Sequence, residues 1–102
     1  MLIHLEKAEQ FNELIAKGDV LVDFFATWCG PCKMLGAELE DLAEAHDDIT
    51  IVKVNVDEFQ QLSAQFNVRV VPTMVVFKNG ENKKRVEGFM DQDALYEMVK
   101  NA

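Results

Sequence analysis

The chain contains two cysteines, Cys29 and Cys32, in the run Trp28-Cys29-Gly30-Pro31-Cys32-Lys33. Residues at i and i+3 are neighbours on a helix. Their Cα atoms can therefore lie inside the window of about 4.4–6.8 Å that a disulfide requires. Such a pair opens and closes with little backbone movement, which suits redox exchange better than stapling. An apolar run, Val20-Leu21-Val22-Asp23-Phe24-Phe25-Ala26, stands directly before it. Cys29 is thus expected at a strand-to-helix junction, where unpaired amides and the helix dipole favour a thiolate. Pro31 suits the first helical turn and Gly30 leaves the sulfur open to approach. Cys32, deeper in the helix, is expected to be less accessible. The chemistry follows: Cys29 attacks a disulfide in a partner protein, and Cys32 resolves the mixed disulfide.

Cys32 must first lose a proton, and Asp23 is the candidate acceptor. An aspartate in an otherwise apolar strand is costly unless paired, and desolvation raises its pKa into a useful range. Lys53 is its candidate neighbour. The alternative places Asp23 in solvent at a strand end. Pro72, in Val71-Pro72-Thr73, is either an edge residue or the site of a cis bond.

The elements that must position these groups alternate along the chain. A short strand is expected over residues 1–5, a helix over 6–17 ended by Gly18, and a doubly buried strand over 20–26. The dithiol helix follows over 31–46, with Leu35, Leu39, Leu42 and Ala43 on its apolar stripe. A strand over 49–56 leads to Asp57 and Gln60, a capping box opening a short helix that fades near Asn67. Strands over 73–77 and 83–89 flank the Asn79-Gly80 hairpin turn, and Asp91 caps a last helix. Phe11, Phe24, Phe66, Phe77, Met34 and Met74 are assigned to the core and Tyr96 to a partly exposed position. His46 is read as a favourable charge at a helix end, and His4 has no evident role.

The pattern predicts an α/β fold in three layers, α/β/α, with a mixed five-stranded sheet and four helices. Early strands pair in parallel through right-handed crossovers, and the last two form an antiparallel hairpin. One domain spanning residues 1–102 is expected from a chain of 102 residues. The net charge of -8 disfavours nucleic acid as a partner. No apolar run reaches the length of a membrane span, and no leader is visible, so a reducing cytoplasm is expected.

Trp-Cys-Gly-Pro-Cys-Lys after Val-Asp-Phe, then Lys53-Val54-Asn55-Val56-Asp57, Arg69-Val70-Val71-Pro72-Thr73, Phe77-Lys78-Asn79-Gly80 and Gly88 occur in order. In these blocks the chain resembles the thioredoxin family along essentially its whole length. The resemblance implies a general protein-disulfide reductase serving cell redox homeostasis, with Cys29 as nucleophile, Cys32 as resolving thiol, Asp23 as buried proton acceptor and Lys53 beside it. It implies a cis Pro72 facing the dithiol and a Val71 backbone that pairs with an extended substrate segment. It implies an apolar docking rim of Trp28, Gly30, Pro31, Val70, Val71 and Gly88. It further implies a monomer with no bound cofactor, recharged with electrons from NADPH by a thioredoxin reductase. The chain departs from the family pattern where Phe25 replaces a common tryptophan and Gly36-Ala37 a common alanine-proline. Val70 replaces a frequent glycine, and Glu87 a usually apolar residue.

Other classes remain as alternatives. A thiol oxidant or isomerase is disfavoured by the Gly-Pro spacer. An accessory subunit that uses only the fold is disfavoured by an intact dithiol with Asp23 and Lys53. Structural zinc wants four ligands, and two cysteines do not supply them.

Overall fold

The computed structural model describes residues 1–102. Its elements are β1 (Leu2–His4), a 3-10 turn (Ala8–Gln10), α1 (Phe11–Ile15), β2 (Asp19–Phe25), α2 (Gly30–Ala45), β3 (Ile49–Asn55), α3 (Gln60–Gln65), β4 (Thr73–Lys78), β5 (Glu81–Glu87) and α4 (Gln92–Asn101). The strands form one sheet in the order β1-β3-β2-β4-β5. β1, β3 and β2 are parallel, while β4 runs antiparallel to both β2 and β5. This is the expected mixed five-stranded sheet with four α-helices.

The period of two along each strand splits the apolar residues between two cores. Val20, Val22 and Phe24 of β2 pack with Phe11, Val52, Val54, Leu62, Val75 and Phe77 on one face. Leu21 joins Leu35, Leu39, Leu42, Ile51, Met74, Val76, Leu95 and Val99 on the other. β2 therefore reads as continuously apolar because it is central and covered on both sides. The α2–α4 layer covers the second face, and Asp23 and Phe25 fall on that face by alternation.

Several local expectations are corrected. The helix expected over 6–17 is a 3-10 turn followed by the five-residue α1. Its apolar residues Phe11, Leu14 and Ile15 fill little more than one turn, so packing supports no longer helix. Gly18 nevertheless has φ +73°, the left-handed conformation that reverses the chain into β2. Asp57 does not cap α3 through its side chain; instead Asn55 Oδ1 accepts the Asp57 and Glu58 amides at 2.9 and 3.4 Å. Gln60 reaches back only to the Asp57 carbonyl, at 3.3 Å. Met74 is buried as expected, whereas Met34 is 61 % exposed, because its place on α2 faces away from the sheet. β5 begins at Glu81, two residues before the expected start, and presents the charged run Glu81–Arg85 along an exposed edge. Such charges discourage edge-to-edge pairing.

Asp91 does cap α4, its carboxylate accepting the Ala94 amide at 3.0 Å. His46 stacks on Tyr96 with ring centroids 3.6 Å apart. Tyr96 donates to Asp48 at 2.8 Å, and Lys100 bridges Asp19 and Asp48 at 2.9 and 3.1 Å. These contacts tie α4 to the start of β2, at the end of the sheet away from the dithiol. No helix is long and apolar enough to cross a membrane.

Candidate active site

The C-terminal end of β2 delivers the chain into α2, and Cys29 stands at the N-cap of that helix with extended φ and ψ. The local cause is the sequence itself: the buried strand β2 ends at Phe25, and Pro31 enforces the helical φ within the first turn. Cys29 and Cys32 are joined by a disulfide with Cα atoms 5.2 Å apart. The Cys32 amide donates to Cys29 Sγ at 3.2 Å, as an N-cap oxygen would accept it. Cys29 is 6 % exposed and Cys32 2 %, so the expected order of accessibility holds, although neither is open. Gly30 and Pro31 beside them are exposed.

Opposite the sulfurs lies the loop before β4. The Val71–Pro72 peptide bond is cis. The Val71 carbonyl oxygen is 3.6 Å from Cys29 Sγ. Pro72 is buried, and its carbonyl accepts the Gly88 amide at 2.9 Å. Gly88 has φ +96°, a conformation that favours glycine. Thr73 Oγ1 donates to the Val70 carbonyl at 2.7 Å and closes the loop on itself. Trp28 is 71 % exposed and Val70 49 %, so both present apolar surface to solvent.

Below the disulfide, Asp23 has no solvent exposure. The solvent-facing alternative for this residue is thereby excluded. Neither carboxyl oxygen has a hydrogen-bond partner. Burial away from water pushes the carboxyl up from its ordinary 3.8 to about 7, with the positive charge of Lys53 pulling partly in the opposite direction. Lys53 pairs in register with Asp23 across β2–β3, and His4 pairs with Lys53 across β1–β3. The ammonium does not pair with the carboxylate directly. It sits 4.5 Å from the centroid of the Phe25 ring, a cation–π contact.

Sequence reasoning missed two parts of this arrangement. Asp57 accepts a hydrogen bond from Trp28 Nε1 at 3.0 Å and so orients the exposed indole. That partner lies 29 residues away, and only the adjacency of β2 and β3 could have suggested it. Phe89, 45 % exposed, also stands beside Gly88, and its position carried no local signal. No group of three or more His, Cys, Asp or Glu side chains is placed to hold a metal ion.

A reversible dithiol at the amino end of a helix, on a mixed sheet covered by helices, defines a thiol–disulfide oxidoreductase. Comparison with known proteins narrows the class. The thioredoxin family model matches residues 2–101. A thioredoxin of Chlamydia caviae is 43 % identical over 98 residues, covering 96 % of each chain. The solved structure of a single-site mutant of the thioredoxin from Halobacterium salinarum superposes with a TM-score of 0.91 at 38 % identity, covering 98 % of this chain and 88 % of that one. A chain from a structure on the thiol resolving mechanism of yeast mitochondrial 1-Cys peroxiredoxin via glutathione/thioredoxin systems gives 0.88 at 32 % identity, covering 99 % and 95 %. The chain belongs to the thioredoxin family. It is a thiol–disulfide reductase acting through its redox-active Cys29–Cys32 disulfide.

Proposed function

We propose that this protein, as one domain over residues 1–102 and as a monomer, reduces disulfides of partner proteins in the cytoplasm by a two-step exchange. In the first step the Cys29 thiolate attacks one sulfur of the partner disulfide. A Cys29–partner bond forms, the partner S–S bond breaks, and one partner thiolate leaves. In the second step Cys32 gives its proton to the Asp23 carboxylate and attacks Cys29 Sγ. The Cys29–Cys32 bond forms and the second partner thiolate leaves. Two electrons have then passed from the dithiol to the partner.

The observation that carries this reading is the Cys32 amide aimed at Cys29 Sγ at 3.2 Å. A donor in that position stabilises negative charge on the Cys29 sulfur as the attacking thiolate. Asp23 supports the second step, because a carboxyl near 7 is part ionised at neutral pH and can take up a proton. Lys53 moderates that value through space. The Val71 backbone, held beside cis Pro72, offers hydrogen bonds to an extended segment flanking the partner cysteine. Trp28, Gly30, Pro31, Val70 and Gly88 form the rim that the segment lies across.

No cofactor is held; a thioredoxin reductase drawing on NADPH restores the dithiol. Peroxide-reducing proteins left with an oxidised cysteine are one class of disulfide partner, in keeping with the peroxiredoxin system that one structural neighbour comes from. The acidic net charge of -8 favours basic partner surfaces. The test is reduction of insulin disulfides with NADPH consumption through a reductase. The reading predicts turnover that a Cys29→Ser variant abolishes. Equal turnover with and without Cys29 would overturn it.

A further inference from the structure

A glycine inside a long helix weakens it relative to alanine, through greater loss of backbone freedom. Gly36 occupies such a position in the 16-residue α2. Its φ lies outside the positive range, so the backbone there does not call for glycine. The reason is a neighbour. A Cβ at residue 36 would meet one group within 4 Å, the Lys53 ammonium nitrogen at 3.2 Å, closer than ordinary contact. On its other side the same ammonium rests over the Phe25 ring at 4.5 Å from the centroid. The space between these two walls opens into a cavity of about 380 Å³ lined by Phe25, Cys32, Gly36, Glu40 and Lys53 among others.

We propose that Gly36 is a positioning residue: the missing side chain lets the Lys53 ammonium lodge between α2 and Phe25, within electrostatic reach of Asp23. The lodging matters because Lys53 has no carboxylate within ion-pair distance, so its charge acts on Asp23 through space. Asp23, buried with both oxygens unpartnered, has no hydrogen bond to hold its charge instead. Burial sets most of this carboxyl's reluctance to ionise, and the place of one nitrogen atom sets how far that is relieved. The functional meaning rests on the reading of Asp23 as proton acceptor; the geometry does not.

Other titratable groups face this space. Cys32, Lys33 and Glu40 face it from α2. His4 stands beside Lys53 on β1. From β4, Met74 opposite Asp23 brings no charge. The experiment uses the disulfide form, in which neither cysteine titrates, and follows the Asp23 carboxyl carbon by NMR across pH. His4, Lys33 and Glu40 are unchanged in every protein compared.

Lys53→Met is expected to raise the Asp23 midpoint by about one pH unit, the size of effect a nearby opposite charge has on a carboxylate. Gly36→Leu, which fills the lodging site, is expected to shift it the same way by about half as much. Gly36→Ala is expected to move it in the same direction by about 0.3 unit, as the ammonium gives way. In a Lys53→Met background neither substitution at residue 36 should shift it further. Gly36→Ala should fold in any case, since alanine favours the helix, and so carries the test if the leucine form does not fold. An unmoved midpoint in Gly36→Ala overturns the proposal. So does a shift that persists without Lys53, which would mean that the added side chain acts by excluding water. Resolution of a mixed disulfide at an undiminished rate by Asp23→Ala would overturn the proton-acceptor reading, and leave the positioning of Lys53 by Gly36 standing.

Discussion

Replacing Asp23 by alanine should make the oxidised protein more stable at alkaline pH and not at acid pH. The native carboxyl keeps its proton up to about 7, whereas an unfolded chain releases it near 3.8. Between those values the native state binds more protons than the unfolded one, so stability falls as pH rises. A separation of that size corresponds to a loss of up to about 4 kcal/mol above pH 7, at about 1.4 kcal/mol per unit. Water reaching the site would reduce it, and about 2 kcal/mol is a reasonable lower figure. Alanine removes the group and with it the pH-dependent loss. It also leaves a small void, which costs about 1 kcal/mol at every pH. The variant is thus expected to be slightly less stable than the parent at pH 4 and more stable at pH 8. With a urea slope of about 1.5 kcal/mol per molar, the difference in midpoints should swing by about 1 to 3 M between those pH values. Urea unfolding of both disulfide forms, followed by far-UV circular dichroism, measures it. Parallel midpoints across the range would refute the reasoning, because Asp23 would then ionise alike in the folded and unfolded chain.

Other predictions concern the surroundings of the site. Trp28 is the only indole and adjoins Cys29, so its emission should change between the disulfide and dithiol forms. An identical spectrum in both would show that the sulfurs are not cycling. Asp57→Ala, which frees the indole from its hydrogen bond at 3.0 Å, should alter the emission in both redox forms and slow reduction of partner disulfides severalfold, as measured by stopped flow. Leu39→Ala, at a fully buried position of α2, should cost about 3 kcal/mol in a urea titration. A loss below about 1 kcal/mol would contradict the packing of α2 on the sheet.

The element order, the strand-to-helix placement of the dithiol and the burial of Asp23 were legible because each signal is local. The apolar run over residues 20–26, with the one carboxylate of Asp23 inside it, announces a central strand and a costly group together. The cysteine spacing announces a helix turn. What stayed hidden depends on register and distant partners. Asp57 resembles a helix cap, but its carboxylate is engaged by Trp28 from another part of the chain. Gln60 is consequently left with a backbone carbonyl. The 6–17 segment carries helical spacing, yet only its middle has a core to pack against, and the helix shortens to Phe11–Ile15. Phe25 and Gly36 read separately as departures from a family pattern; only the fold shows that both border the Lys53 ammonium. Met34 looked like a core residue because methionine usually is one, and helical phase alone turns it away from the sheet into solvent.

The central claim is that Cys29 is the sulfur that engages a partner and Cys32 the sulfur that releases it. A Cys32→Ser protein, incubated with a disulfide-containing protein and analysed by peptide mass mapping, tests this directly. A covalent adduct through Cys29 that accumulates and is cleaved only by added reductant is the predicted result. No adduct with Cys32→Ser, together with a stable adduct through Cys32 in a Cys29→Ser protein, would contradict the account.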